Sequence, residues 1–421
     1  MRHFWSTNRR KTWIDRDFCQ FYHPRVLAAS RPAAFAVADP SMKVPGMSAV
    51  TTNPVEASIR RASQETCSVC GSAGSILYSN LRDQLFSAPG EWNLRRCDDP
   101  QCGLIWLDPM PHTDELGKFY QTYYTHAPKS EGPSKPERPK SRRRLKVAAQ
   151  QGYLANRFGY ARSECTWWTR LLGWTTWLTP VRRLHLDFTL MHLPAVPNGR
   201  VLDVGCGGGQ ILANLQQHGW TVEGVDFDPQ AVAAARERGV TVRLGGLADQ
   251  NYPDASFDAV IMSHLIEHVP DPLELIRECH RILKPGGRLV IVTPNPQSLS
   301  HRLFGRAWRG LEPPRHLYIQ TRNSLRKLTR ASGFQQVSLE TSARFAEGMF
   351  RQAFELRRLQ AGGSRNPFPG QKALCRALEF LEIILLSLGA RAIGEEHVCI
   401  ATKDRCERSS TSLRHEERRA A

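Results

Sequence analysis

Between residues 200 and 295, short apolar blocks alternate with stretches of helical period. Val201-Leu202-Asp203-Val204 runs into glycines at 205, 207, 208 and 209, and an apolar helical pattern follows from Ile211 through Leu215. That order is a strand, a tight turn and a helix start. Thr221 to Val225 reads as strand two, residues 240 to 244 as strand three and Phe257 to Met262 as strand four. A helix from about Pro272 to Leu283 meets the breaker Lys284-Pro285-Gly286-Gly287, and strand five runs from Arg288 to Val292. Gln336 to Glu340 and Val398 to Thr402 are expected to close the sheet as a reversed edge pair. Strands alternating with helices predict an α/β architecture: a seven-stranded, mostly parallel sheet with helices on both faces.

The pattern changes on either side of this core, which spans residues 200–403. Residues 1–66 are expected to be poorly ordered, with Met42 or Met47 as an alternative start. They lack the apolar h-region of a signal peptide, and Asp15 and Asp17 count against the organelle transit peptide that the Arg content suggests. Residues 67–126 read as a small cysteine-bearing module, with a strand in Leu104 to Met110 and a helix from Glu115 to Tyr120. The Pro-, Ser-, Lys- and Arg-rich stretch 127–146 reads as an extended linker. Residues 147–199 read as a helical cap in which Trp167, Trp168, Trp174 and Trp177 lie close together. Core packing is the simpler reading of those tryptophans, and an interfacial helix at a membrane surface is the alternative. A helical insertion is expected at about 345–393. Its apolar part, Leu374 to Leu388, holds Glu379 and Glu382 and is too short to span a bilayer. Residues 404–421 form a charged tail, expected to be disordered.

Composition adds two points. The 421 residues are 41% apolar, enough for a sizeable core. The formal charge of +17 invites a nucleic-acid partner, but residues 200–295 hold 8 Lys or Arg against 12 Asp or Glu. The excess lies in the flanks, at 11 against 3 in 136–199 and 22 against 12 in 296–421. With no RNA module and no basic-aromatic stripe, nucleic acid is disfavoured. Eleven cysteines without a secretory signal point to a reducing, cytoplasmic compartment, with a peripheral membrane contact left open. The oligomeric state is not legible.

Four cysteines are paired by spacing: Cys67 with Cys70, and Cys97 with Cys102. Two short thiolate loops suit one structural, tetrahedral zinc with bonds of about 2.3 Å. A redox pair would need only one C-x-x-C beside a βαβ unit, and unligated cysteines are the plain alternative. In the glycine turn, backbone N–H groups can approach a ligand closely at a helix N-terminus. A dinucleotide fingerprint would place its third glycine at 210, where the chain has Gln210. Instead the turn reads Asp203-x-Gly205-x-Gly207-x-Gly209, with an acid, Asp226, at the end of strand two, where a carboxylate can accept ribose hydroxyls.

This pattern resembles class I S-adenosylmethionine-dependent methyltransferases, which have a Rossmann-like fold. The Ser256-Phe257-Asp258 strand opening and the Leu283-Lys284-Pro285-Gly286-Gly287 turn are similar to the same superfamily. Pro314-Arg315-His316-Leu317-Tyr318 and the helix after it resemble the branch grouped with ubiquinone-biosynthesis O-methyltransferases. The zinc-ribbon-like module resembles one carried by bacterial methyltransferases of sugars and other small metabolites. The resemblance implies S-adenosyl-L-methionine as cofactor and a small-molecule, sugar or lipid-linked substrate, with the helices before the glycine turn as a lid or substrate wall. It implies cofactor contacts at Gly205, Cys206, Gly207, Gly209, Phe227 and Ser263, with Asp203 orienting the turn, Asp226 on the ribose and Leu247 packed on the adenine ring.

Ser263-His264-Leu265-Ile266-Glu267-His268 follows strand four. His264-x-x-Glu267-His268 matches the inverted zinc-protease signature, but Pro270 and Pro272 bracket a turn too short for that helix. Methyl transfer to a hydroxyl gains from a base in reach, so His264, His268 and His316 are candidates, expected to face one another across the pocket. Glu267 with a histidine could instead bind a divalent ion that acidifies the acceptor. The leading expectation is O-methylation. The alternatives are an RNA methyltransferase gripping its substrate with the zinc module, and a non-catalytic cofactor-binding module. Against the first, the position of the N-P-P-Y tetrapeptide found in base-modifying relatives reads Ser263 to Ile266.

Overall fold

Val201, Leu202 and Val204, then Ala259 to Met262, then Leu289 to Val292 are all buried, as strands covered by helices on both faces must be. The computed structural model describes residues 59–120, 140–160 and 165–405. The extension to residue 58, the linker to 139 and the tail from 406 lie outside the described residues.

The chain opens with β1 (Arg61–Ala62), β2 (Gly74–Leu81), β3 (Trp92–Cys97), β4 (Ile105–Asp108) and β5 (Met110–Pro111). Three helices follow: α1 (Lys140–Phe158), α2 (Trp167–Trp174) and α3 (Pro180–Thr189). The core then runs β6 (Arg200–Val204), α4 (Gln210–Gln217), β7 (Thr221–Asp226), α5 (Pro229–Glu237), β8 (Thr241–Leu244), β9 (Phe257–Ser263), α6 (Pro272–Ile282) and β10 (Leu283–Pro294). It ends with α7 (Leu299–Phe304), β11 (Tyr318–Ile319), α8 (Arg322–Ala331), β12 (Gln336–Ser342), α9 (Ala346–Gln360), α10 (Gln371–Ser387) and β13 (Glu396–Thr402). Local chemistry sets the helix starts. Asp228 and Asp271 accept from Gln230 N–H and Glu274 N–H and are followed by Pro229 and Pro272, and Thr321 forms a capping box with Ser324.

Seven strands form one sheet in the order β12-β13-β10-β9-β6-β7-β8. β6 lies between β9 and β7, so the strand order switches direction there and opens a crevice at the strands' carboxyl ends. The expected reversed edge pair is only half right. β13 alone runs antiparallel, and it lies inside the edge, between β10 and β12. Strand five also starts earlier than Arg288: Leu283 already pairs with Phe257, and the Lys284–Gly287 turn is an irregularity within β10.

A second sheet, β11-β4-β3-β2, is antiparallel. Its β11 comes from the core, where Tyr318 pairs with Trp106 and Ile319 with Ile105. Trp92, Leu94 and Leu104 to Leu107 therefore share one buried cluster with Trp308, Leu311, Leu317 and Ile319. Order begins before Cys67, because β1 pairs with β5 and Asp108 accepts from Ser63 Oγ and Gln64 N–H. The expected helix after Glu115 is a 3-10 helix, Thr113–Phe119. α1 begins inside the stretch read as linker. Among the described residues, no helix is long and apolar enough to cross a membrane.

Candidate active site and metal cluster

Gly205, Gly207 and Gly209 all have positive φ, at 71°, 51° and 73°, a region that glycine adopts without the strain of a Cβ. A Cβ on Gly205 would lie 2.7 Å from Leu265 Cδ1, and one on Gly209 2.7 Å from Val240 Cγ2. One on Gly207 would meet nothing within 4 Å, so the turn is open there. Gly207 N–H donates to Asp226 Oδ2 at 2.7 Å, and Asp228 N–H to Asp226 Oδ1 at 2.9 Å. Asp226, rather than Asp203, therefore holds the turn. Asp203 is 1% exposed, and its Oδ1 has no hydrogen-bond partner. Burial and then the charge of Asp226 push its carboxyl well above the usual range. A buried carboxyl beside a second one suits a ligand that brings a cationic group.

The other residues read as cofactor contacts divide. Phe227 is exposed beside the turn, and Ser263 is half-buried at the end of β9. Cys206 is buried, packed where a Cβ on Gly224 would meet its Sγ at 2.7 Å, and burial pushes its thiol up. Leu247 lies in the main core with Val225 and Tyr252. Packing accounts for its burial.

After β9, His264 takes a φ of 53°, and its imidazole lies between two carboxylates. Nε2 is 2.9 Å from Glu396 Oε1, and Nδ1 is 3.3 Å from Glu267 Oε1. Arg344 grips Glu396 through Nε at 3.0 Å and Nη2 at 2.6 Å. With a carboxylate oxygen close to each ring nitrogen, His264 is placed to orient Glu267 rather than to face an acceptor. Glu267 is fully buried and accepts from Thr293 Oγ1 at 2.9 Å. Burial opposes its charge, but His264 beside it and the positive charge that His264, His268 and His316 take up on protonation outweigh it and bring the carboxyl down to about 2.

The rings of His268 and His316 meet edge to face with centroids 4.8 Å apart. His268 Nδ1 is 3.0 Å from Arg315 O, and His316 Nδ1 is 2.7 Å from Gly310 O. A carbonyl only accepts, so Nδ1 carries the hydrogen and Nε2 keeps the lone pair in each ring. Burial lowers both pKa values, that of His316 to about 4, so both are neutral at pH 7. Atoms of Glu267, His268 and His316 able to bind a metal lie within 4.8 Å of one another. Two neutral imidazoles tied to backbone carbonyls, with one carboxylate, form a donor set suited to a divalent cation.

Hydrogen bonds bring the Arg315–Tyr318 segment here. Leu317 N–H donates to Glu267 O at 2.8 Å, and Leu107 N–H donates to Leu317 O at 2.9 Å. The segment thus lies between β4 and the histidine turn. Buried Arg315 reaches Glu312 Oε1 at 2.9 Å, Asp83 Oδ2 at 2.7 Å and Phe119 O at 3.2 Å. Tyr120 places its hydroxyl 2.9 Å from His268 Nδ1 and its ring edge-on to Phe227, centroids 5.9 Å apart.

Cys67, Cys70, Cys97 and Cys102 converge. Cys67 Sγ is 3.7 Å from Cys102 Sγ, and Cys70 Sγ is 3.4 Å from Cys97 Sγ. Four sulfurs about 2.3 Å from one ion in a tetrahedron stand about 3.8 Å apart, so the cluster fits zinc. Gly71 and Gly103, at φ of 76° and 63°, turn the chain after each pair. Thr321 Oγ1 bonds to Cys102 O, and Lys327 Nζ lies 3.0 Å from Asp99 Oδ2, so α8 is fastened to this cluster.

The structure thus gathers Glu267, His268 and His316 and places His264 behind Glu267. Sequence reasoning missed Tyr120, Glu396, Arg344 and Thr293. None stands in a spaced motif, and each reaches the site only through sheet pairing or packing. Only the placing of Thr293 at the carboxyl end of strand five, where ligands gather in such sheets, was a usable signal.

A family profile described as a methyltransferase domain matches residues 181–339. Over 125 residues the chain is 41% identical to a ubiquinone biosynthesis O-methyltransferase of Xanthomonas oryzae pv. oryzae, covering 28% of this chain and 51% of that protein. Over 139 residues it is 34% identical to the protein of the same name from Alkalilimnicola ehrlichii, covering 30% and 56%. The chain therefore spans about half the length of the curated relatives it matches. A solved SAM-dependent methyltransferase of Thermotoga maritima, a possible histamine N-methyltransferase, aligns with a TM-score of 0.37 at 21% identity, over 56% of this chain and 96% of that one.

Proposed function

We propose, from the match of residues 181–339 to a methyltransferase-domain family, that the chain moves a methyl group from S-adenosylmethionine to a hydroxyl of a small molecule, a sugar or a lipid-linked acceptor. The observation that carries this reading is the glycine turn, open at Gly207 and held by Asp226 at the point where the strand order switches. The cofactor supplies an electrophilic methyl on a sulfonium, beside an ammonium group and a ribose diol. Asp226 accepts two backbone N–H groups, and a carboxylate has about four lone-pair sites, which leaves room for ribose hydroxyls. Asp203 would answer a cationic group, and Phe227 and Ser263 would flank the ligand.

On the acceptor side, His268 would take the hydroxyl proton at Nε2 as the oxygen–carbon bond forms and the carbon–sulfur bond breaks, leaving its electron pair on sulfur. His316, with a pKa lowered to about 4, is too weak a base for that role and would hold the acceptor instead. His264 would position Glu267. The relatives' name suggests an acceptor attached to a lipid chain. The Glu267, His268 and His316 cluster favours a second version, in which a divalent cation at those residues acidifies the hydroxyl.

Calorimetry should show saturable binding of S-adenosylhomocysteine. Asp226→Ala should cost about 1 to 3 kcal/mol of it, since it unpairs two half-buried backbone donors as well as the ligand. Equal or tighter binding of NAD would remove the cofactor assignment. Labelled cofactor incubated with fractionated extract identifies the acceptor class, and label in RNA would replace this reading. His268→Ala should lower transfer by ~10² to 10⁴. Loss of activity on chelation and its return with added divalent ion, in a chain whose cysteine cluster stays loaded, would select the cation version.

A further inference from the structure

The helical cap carries a surface that the catalytic reading leaves unused. Among the residues of α2 only Gly173 is buried. A Cβ on Gly152 of α1 would lie 1.7 Å from Thr169 O, and one on Gly173 would lie 2.4 Å from Gly152 C. The two helices therefore touch backbone to backbone, and α2 turns its small side inward. Its large apolar residues point the other way. Trp167, Leu171, Trp174 and, one turn beyond, Leu178 recur at spacings of four, three and four, which is one helical face. They are 65%, 54%, 61% and 83% exposed, and Trp168 beside them is 58% exposed. This overturns core packing as the account of Trp167, Trp168 and Trp174, while Trp177 packs edge-on against Tyr153. An ordinary surface helix does the reverse, burying the apolar stripe and exposing the polar one, and a patch of this kind marks an interaction site.

Charge identifies the partner. Among the described residues of α1 to α3 and their connections, the one carboxylate is Asp187, 2% exposed and bonded to Tyr153 at 2.6 Å. The same stretch carries Arg144, Lys146, Arg157, Arg170, Arg182 and Arg183. Arg183 lies 4.9 Å over the Trp177 ring, and Arg182 Nη2 reaches Lys146 O at 2.7 Å, so basic groups stand next to the aromatic ones. Tryptophan and leucine on one face with basic residues around it are the make-up of a helix that lies in the headgroup region of a bilayer, its rings at the acyl boundary. The cap continues into a second exposed stripe. Leu184 of α3 packs against a buried cluster that includes Cys375 and Ile383 of α10, and Leu374 and Leu381 of α10, with Leu388 just past its end, are exposed at heptad spacing.

We propose that the tryptophan face of α2 docks this protein peripherally on a membrane surface rich in anionic lipid. The contact does not depend on the identity of the methyl acceptor, and it is tested without activity. The full chain is floated with vesicles of phosphatidylcholine and with vesicles in which phosphatidylglycerol is added, at low and high salt, while tryptophan emission is recorded. The expected result is binding to the anionic vesicles with a blue shift, weakening several-fold in high salt, because each basic residue near such a surface contributes about 1 kcal/mol. The triple variant Trp167→Ser, Leu171→Ser, Trp174→Ser replaces exposed side chains only. It should keep its helical circular dichroism and its affinity for S-adenosylhomocysteine, and lose vesicle binding by more than tenfold. A wild-type chain that does not float, or a triple variant that floats equally well, overturns the proposal. So does a concentration-dependent dimer in sedimentation that the triple variant abolishes, since the face would then belong to a second copy. Loss of S-adenosylhomocysteine binding by the wild-type chain would count against the cofactor assignment and leave the vesicle result standing.

Discussion

The hydroxyl of Tyr120 lies 2.9 Å from Nδ1 of His268, across 148 residues of chain. Arg315 O already takes the Nδ1 hydrogen at 3.0 Å, so the phenol oxygen is a second neighbour of the same N–H and steadies the ring. Tyr120→Phe keeps the edge contact with Phe227 and removes the hydroxyl. The expected outcome is unchanged S-adenosylhomocysteine affinity within about twofold and turnover lowered about two- to thirteenfold, the range of one hydrogen bond of about 0.5 to 1.5 kcal/mol. The His268 resonance should also titrate at a different pH. An unchanged titration with full turnover would make Tyr120 a packing residue only.

The cysteine cluster should behave as part of the same folding unit. Elemental analysis of protein purified without added metal should find one zinc per chain. Because β11 and Leu317 tie β4 to Glu267, Cys97→Ser or chelation should lower the melting temperature in a single transition and reduce turnover, not merely loosen the module. Calorimetry that resolves two independent transitions, the larger one unmoved by metal removal, would refute the coupling.

Glu382 gives a pH prediction. It is fully buried against Glu395, and burial followed by the charge of Glu395 raises its carboxyl to about 10, with Glu395 raised to about 7 by burial. Both folded pKa values exceed the ordinary glutamate value of 4.5. The contribution of this pair to stability is therefore complete below about pH 4.5 and lost as pH rises through about 7 and about 10. Melting temperature measured from pH 5 to 9 should fall less in Glu382→Gln than in the wild-type chain. A gain of about 2 °C or more is expected at pH 9, and parallel curves for the two proteins would contradict it.

The core was legible because its signals are local. Buried strands read as apolar blocks, glycines announce positive φ, and Asp228, Asp271 and Thr321 cap their helices from adjacent positions. The glycine turn, Asp226 and the paired cysteines were visible on the same grounds. What escaped depends on partners distant in sequence. Nothing near Tyr318 says that it will pair with Trp106, and without that pairing Tyr120 has no route to His268. The role of His264 changed because Glu396, 132 residues away, occupies its second nitrogen. Asp203 was given the task of Asp226 because only the fold reveals which carboxylate faces the Gly207 N–H.

The β11–β4 pairing has a consequence for how this protein can be divided. The Pro- and Ser-rich stretch between residues 120 and 140 looks like a seam, yet a cut there would separate two strands of one sheet. The front piece would keep β4 with an open edge, and the rear piece would carry Tyr318 and Ile319 with no ladder to join, leaving Trp308, Leu311 and Leu317 uncovered. Open strand edges beside bare aromatic surface recruit other chains. Either fragment expressed alone should therefore aggregate, whereas the two halves produced together should find each other and restore a soluble whole.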